Sequence, residues 1–241
     1  MSSLPPRFPP SKSSVDRAGA ELRDWWFAPG DVDELPPFGP IDLLVAFRAE
    51  FQTPMKKVTV GLRQFVAREC DPEVPVTVGQ RLKRGPQIVR KLTRHPTMKL
   101  SRMQDIGGCR AILQGEHDEV RRVEERIERN WVIKHRKQYT LEHPAPSGYR
   151  ALHIVVERDG RLIEIQLRTP REHEWAEAIE RTDKRLALDL KSGHGPAILL
   201  EYFRLAADAL AMEDAGERPG PAFMRDFERA RQAAKPYFER R

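Results

Sequence analysis

Side chains able to do chemistry crowd into one short run, Ile163-Glu164-Ile165-Gln166-Leu167-Arg168. Successive strand residues point to opposite faces, so Ile163, Ile165 and Leu167 share one face while Glu164, Gln166 and Arg168 share the other. The first face suits a core, and the second offers a carboxylate, an amide and a guanidinium. A solvent-facing antiparallel strand has the same pattern. Upstream, Pro146-Ser147-Gly148-Tyr149-Arg150-Ala151-Leu152-His153 leads into a partner strand. Beside glycine, an exposed tyrosine offers a flat face with close backbone approach, whereas a tyrosine sealing the hairpin is core. His153, in an apolar strand, also reads as a structural histidine. Asp105 precedes Gly107-Gly108, where aspartate also serves as a turn residue.

Four blocks in order along about residues 77–180 resemble the synthetase domain of the RelA/SpoT (p)ppGpp family. They are Arg81-Leu82-Lys83 with Ile88 and Lys91-Leu92; Gln104-Asp105-Ile106-Gly107-Gly108-Cys109-Arg110; Gly148-Tyr149-Arg150-Ala151-Leu152-His153; and Glu164-Ile165-Gln166-Leu167-Arg168-Thr169 followed by Trp175-Ala176. The resemblance implies an ATP-dependent pyrophosphokinase that moves a diphosphate onto the ribose 3′-hydroxyl of GDP or GTP. It implies that Asp105 and Glu164 hold Mg²⁺, or Mn²⁺, and that Glu164 helps deprotonate the acceptor. Arg81 and Arg110 would lie against the adenine of ATP, with Lys83 and Lys91 facing its phosphates. Tyr149 would stack on the acceptor guanine, accompanied by His153, Lys137, Gln166 and Arg168. Such chemistry is mainly positioning and charge stabilisation, which is why carboxylates and cations must converge.

The acceptor segments depart from the family pattern. Lys137-Gln138-Tyr139 lacks the family's carboxylate, His143-Pro144-Ala145-Pro146-Ser147 lacks its basic residue, and Glu180-Arg181 replaces a Glu-His pair at shifted spacing. Two alternatives follow: a toxic relative that modifies the 3′ end of tRNA and has an antitoxin, and a degenerate domain that binds nucleotide or RNA without catalysis. Retention of both Asp105 and Glu164 argues against the second. His117-Asp118 stands isolated and reads as a helix start rather than a hydrolase metal motif. The family also implies homo-oligomers, although residues after Gly195 show no sustained heptad.

Periodicity outlines the elements that must carry these residues. Apolar spacing predicts helices over 41–51 and 55–65, a short helix from Pro86, and a charged one containing Val120, Val123 and Ile127. Strands are expected at 76–82, 108–113, 131–134, 151–157 and 162–168, the last two joined by an Asp159-Gly160 hairpin turn. Thr169-Pro170 caps a long helix containing Trp175, Ile179, Leu186 and Leu190, and two more helices flank residues 216–221. The fold class is α+β, a mixed sheet of about five strands flanked by helices in a nucleotidyltransferase-like synthetase domain with helical N- and C-terminal extensions. Residues 1–35 read as a flexible arm, mobile through about residue 20, with an aromatic docking segment at Trp25-Trp26-Phe27. The synthetase domain follows over 36–193 and a helical extension over 194–241.

Composition agrees with an anionic substrate. Among 241 residues, 42 Lys and Arg against 36 Asp and Glu give a net charge of +6, an excess that attracts nucleotides or RNA. Two cysteines are too few for a disulfide framework. There is no dinucleotide or phosphate-loop glycine motif. With no signal-like start and no run near the ~20 apolar residues of a membrane span, the expectation is a cytoplasmic protein without membrane association.

Overall fold

The computed structural model describes residues 9–27, 37–114, 116–140 and 143–239. Five strands, β1 (Thr77–Leu82), β2 (Gly107–Ile112), β3 (Ile133–Tyr139), β4 (Ala151–Arg158) and β5 (Arg161–Arg168), form one sheet ordered β1-β2-β5-β4-β3. β2 and β5 run parallel, while the other neighbours are antiparallel. The sheet is mixed, and eight α-helices surround it among the described residues. Alternation divides its faces: Cys109, Ala111, Ile154, Val156, Ile163, Ile165 and Leu167 are buried in the main core. Helix α3 (Gln52–Glu69) crosses this face and α5 (Glu116–Asn130) packs beside α3.

The hairpin between β4 and β5 forms as Asp-Gly chemistry dictates. Asp159 and Gly160 have φ of 50° and 72°, the paired left-handed conformations whose twist matches antiparallel strands. Strand β3 is longer than periodicity suggests, because an edge strand exposed along most of its length is held by pairing with β4 rather than by an alternating apolar face. Helix α6 (Pro170–Leu186) starts with a capping box. Glu172 N donates to Thr169 Oγ1 at 3.2 Å, and Thr169 N donates to Glu172 Oε2 at 3.0 Å. Leu190 falls beyond this helix, which ends where Ala187 turns left-handed at φ 53°, and lies in the 3-10 turn Leu190–Ser192.

The N-terminal segment corrects the expectation of an arm mobile through residue 20. Helix α1 (Lys12–Phe27) packs on α2 (Phe38–Ala49) and α4 (Gly85–Arg94), burying Val15, Ala18 and Leu22. Those residues share a helix face at i, i+3 and i+7, a pattern obscured by the surrounding Pro and Ser. Gly19 permits the close approach: a Cβ there would stand 2.8 Å from the Leu100 Cβ. Asp16 Oδ1 also accepts from Ser101 N at 2.9 Å. Trp25 is half-buried and Trp26 is 41% exposed, so the aromatic segment docks in part. The Phe27 side chain and residues 1–8 and 28–36 lie outside the described residues.

A second apolar cluster closes the other side of the sheet. Trp175 and Ile179 of α6 meet Leu199, Phe203 and Ala207 of α7 (Ala197–Asp214) and Ala234 of α8 (Pro221–Glu239), together with Tyr149. Trp175 Nε1 donates to the Phe203 carbonyl at 2.7 Å, satisfying the one polar atom of a buried indole. Among the described residues no helix is long and apolar enough to cross a membrane.

If α1 belongs to the core, Leu22→Ala should destabilise the protein by about 2–4 kcal/mol, the usual cost of emptying a buried leucine site. Chemical denaturation measures this, and an unchanged midpoint would return the segment to the status of a free arm.

Candidate active site

Residues paired across neighbouring strands share a face. Register sets Arg81 beside Gly108, Gly108 beside Glu164, Arg110 beside both Gly79 and Gln166, and His153 beside Gln166 and Lys137. Arg168 follows by alternation along β5. The sequence-selected strand residues therefore occupy one face, opposite the main core. Asp105 lies in the turn entering β2, Lys83 just past β1, and Lys91 on α4. Lys83 N donates to the Ile106 carbonyl at 2.8 Å, which brings the two chain segments together.

Asp105 is held between two lysines, with Oδ2 2.7 Å from Lys83 Nζ and Oδ1 2.9 Å from Lys91 Nζ. Burial works to raise its pKa, but Lys83 and then Lys91 outweigh burial and hold it below the ordinary 3.8. At Glu164, Oε1 lies 2.9 Å from His153 Nδ1, and Oε2 accepts from Gln166 Nε2 at 2.7 Å. Burial again pushes upward and is outweighed, chiefly by His153, while the charge of Asp105 opposes ionisation. The two carboxylates thus sense one another.

Arg168 is 1% exposed. Its Nη2 donates to the Tyr149 hydroxyl and to Gln166 Oε1, the latter at 2.8 Å. Its Nε and Nη1 are buried without hydrogen-bond partners among the described residues. Arg110 is half-buried, with Nη1 3.1 Å from His173 Nδ1. Arg81 is exposed and donates to Gln87 Oε1 at 2.5 Å, and Lys137 is exposed with Nζ 4.7 Å from the Tyr139 ring centroid.

Tyr149 differs from the expected exposed platform. It is 5% exposed and enclosed by Tyr139, His153 and Trp175, with Lys191 Nζ 4.8 Å from its ring centroid. Burial pushes its phenol up to about 12. The cause is α7. Gly148, at φ 89°, tucks so tightly under this helix that a Cβ would stand 2.8 Å from the Ala207 Cβ. In this arrangement no ring face of Tyr149 is open for a base.

Three further residues join the site without having been singled out for it. Lys191 Nζ pairs with Glu180 Oε1 at 2.5 Å, and His173 meets Arg110. His173 and Glu180 are seven apart on α6, one helical face, so periodicity counted from Thr169 could have found them. Lys191 had no local signal. Its turn is fixed from afar: Asp183 accepts from Leu190 N and Lys191 N, and Ser147 Oγ donates to the Lys191 carbonyl at 2.9 Å. Burial lowers the Lys191 pKa, with Glu180 opposing that shift. Cations outnumber carboxylates across this face, an arrangement suited to a polyanion.

Residues 80–183 match a family model described as the region found in RelA / SpoT proteins. An uncharacterized protein of Mycobacterium tuberculosis is 29% identical over 225 residues, covering 87% of this chain and 76% of that protein. Among solved structures, the small alarmone synthetase 1 of Bacillus subtilis bound to its product pppGpp superposes with a TM-score of 0.62 at 23% identity, covering 72% of this chain and 93% of that one. A GTP pyrophosphokinase family protein of Streptococcus pneumoniae gives 0.55 at 23%, covering 80% and 98%. These likenesses establish the fold.

Lys83→Met removes the principal counter-charge and leaves burial to dominate, so the Asp105 carboxyl should titrate at higher pH than in the wild type, as followed by its ¹³C resonance. The stability effect has a definite sign. A depressed folded-state pKa contributes stability above the unfolded value and loses it as pH falls through the folded value. The wild type should therefore lose stability on acidification below about pH 4, the ordinary aspartate range, more steeply than the variant. An unmoved titration would show that Lys83 does not hold Asp105.

Proposed function

We propose, from the match of residues 80–183 to the region found in RelA / SpoT proteins, that the chain is a pyrophosphokinase transferring diphosphate from ATP to the ribose 3′-hydroxyl of GDP or GTP. The observation that carries this reading is the gathering of Glu164 with arginines on one sheet face, beside the turn in which Asp105 meets Lys83 and Lys91. A bond forms between the 3′-oxygen and the β-phosphorus as the bond to the AMP oxygen breaks. AMP departs, and the hydroxyl proton passes to Glu164. Both Glu164 oxygens already accept one hydrogen bond, which leaves each a lone pair directed elsewhere.

The donor would lie on the β1–β2 side of the sheet. On the polar face Arg81 and Arg110 occupy diagonal positions whose strand partners are Gly108 and Gly79. A glycine beside each arginine leaves the sheet surface there without a side chain, and a Cβ at Gly79 would meet nothing within 4 Å. Planar guanidinium groups stack well on a purine, so this slot suits the adenine. Lys83 and Lys91, next to Asp105, would then meet the phosphates. The acceptor would lie towards His153, Gln166, Arg168 and Lys137.

A divalent cation fits the donor set in a restricted way. Asp105 and Glu164 would be hard oxygen ligands, and the charge of Asp105 is felt at Glu164. The described residues contain no group of three or more His, Cys, Asp or Glu able to hold a metal. Two carboxylates leave other positions to water and substrate oxygens, the habit of Mg²⁺. When bound, Mg²⁺ or Mn²⁺ would neutralise charge on the phosphates undergoing transfer.

Glu164→Gln should reduce transfer by about 10²–10³ or more while ATP affinity changes little, because the replacement keeps shape and removes charge. Incubating labelled ATP with GDP, GTP or deacylated tRNA in parallel identifies the acceptor. Label on a guanine nucleotide supports the reading, label on tRNA replaces its acceptor, and no transfer to any of them rejects it.

Gly79→Val should fill the adenine slot and weaken binding of a non-hydrolysable ATP analogue about tenfold with thermal stability maintained, β-branched residues being favoured in strands. Unaltered affinity would move the adenine elsewhere.

A further inference from the structure

Five side chains close a ring of hydrogen bonds in which the donors all lead towards Glu164. Arg168 Nη2 donates to Gln166 Oε1 at 2.8 Å, and Gln166 Nε2 donates to Glu164 Oε2 at 2.7 Å. By the second route, Arg168 Nη2 donates to the Tyr149 hydroxyl, which lies 2.7 Å from His153 Nε2, and His153 Nδ1 lies 2.9 Å from Glu164 Oε1. A guanidinium only donates and an ionised carboxylate only accepts, so the direction of each link follows. Tyr149 accepts from Arg168 and gives its single proton to His153 Nε2. Neutral His153 must then carry its proton on Nδ1 and donate to Glu164. One tautomer satisfies the whole ring.

We propose that Tyr149, His153 and Gln166 are positioning residues that hold the Glu164 carboxylate in one orientation, with Arg168 anchoring both arms. The inference rests on the reading of Glu164 as the group that meets the acceptor hydroxyl, and it gives Tyr149 a role that its enclosure permits. Each arm has a cation at one end and an anion at the other, which polarises the neutral links between them. Each carboxylate oxygen is tied by a separate arm, so neither can rotate while both arms are intact. Arg168 is almost wholly buried with two nitrogens unpartnered among the described residues. Such burial of a cation is a poor way to strengthen a fold, whereas orienting a reacting group can be worth about 10²-fold in rate when misplacement reaches roughly 1 Å.

Single-turnover kinetics of Tyr149→Phe separates this role from a base-stacking one. The phenyl ring keeps the packing and breaks one arm. The rate of transfer should fall about tenfold while acceptor KM and melting temperature stay near wild type, the pattern of lost transition-state positioning. Gln166→Met removes the other arm and should cost a similar factor, and the double variant should be slower than either single one. A stacking platform predicts the reverse, with Phe preserving both rate and KM. Wild-type rate in Tyr149→Phe, or a rise in KM alone, overturns the proposal. ¹⁵N NMR of the imidazole gives a readout independent of turnover. His153 should be protonated on Nδ1 in the wild type, with the Nε2 resonance displaced in Tyr149→Phe. If the wild type transfers nothing to any acceptor, the proposed function fails while the NMR still tests the ring, and an Nε2-protonated His153 in the wild type would refute it.

Discussion

Parallel pairing of β2 with β5 fixes the relation on which the other parts depend. It sets Gly108 beside Glu164 and brings the turn carrying Asp105 to the same end of the sheet. Because strand side chains alternate with period two, a slip of one residue would send Glu164, Gln166 and Arg168 into the apolar core and bring Ile165 and Leu167 out. The buried row Ile163, Ile165 and Leu167 opposes that slip, since each lies fully within the main core. The hydrophobic effect on one face therefore specifies the chemistry on the other. Glycine at position 108 suits the same place, because a Cβ there would stand 3.2 Å from the Glu164 carbonyl oxygen.

Electrostatics on the polar face work against burial throughout. Asp105 and Glu164 both sit where desolvation favours the protonated acid, and both are held ionised by named partners: two lysines for Asp105, a histidine and an amide for Glu164. The partners differ in kind. Lysine counter-charges are compact ammonium groups at the ends of flexible stems. The Glu164 partners, an imidazole and an amide, are themselves held by further hydrogen bonds to Tyr149 and Arg168.

The helices after residue 196 do more than lengthen the chain. Phe203 of α7 receives the Trp175 indole N–H and packs against its ring, while Arg150 is tied to Asp208 at 2.7 Å. The same helix also lies against Gly148, the residue before Tyr149. Thr169, the cap of α6, donates to Asp214 Oδ2 at 2.7 Å near the end of α7. Removing α7 would expose Tyr149 and Trp175, so the environment of the site is set partly by residues outside the matched family region.

Much of this was legible from local pattern. Period-two alternation located β4 and β5, Asp159-Gly160 their turn, Thr169-Pro170 the start of α6, and four ordered blocks the residues that share the polar face. Those signals persist in the sequence because each is short in range, arising from sterics within a few residues or from which side of an element meets the core. Helix α1 was obscured because proline and serine in the chain around it hid a three-residue apolar face, and the helix packs on α4 and the turn at Leu100, which lie far along the chain. Tyr149 could be read from its neighbours either as a platform or as a strut, since groups distant in the chain, Trp175 and Lys191 among them, decide how much of the ring meets water. Lys191 reached the site by the fold of a turn that Asp183 and Ser147 hold. The sequence by itself determined which residue types face together along each strand, because the backbone's own period imposes that. Which of them meet across strands, and which are covered, was decided only by the tertiary structure, because register, burial and hydrogen-bond closure depend on contacts between segments distant in the chain.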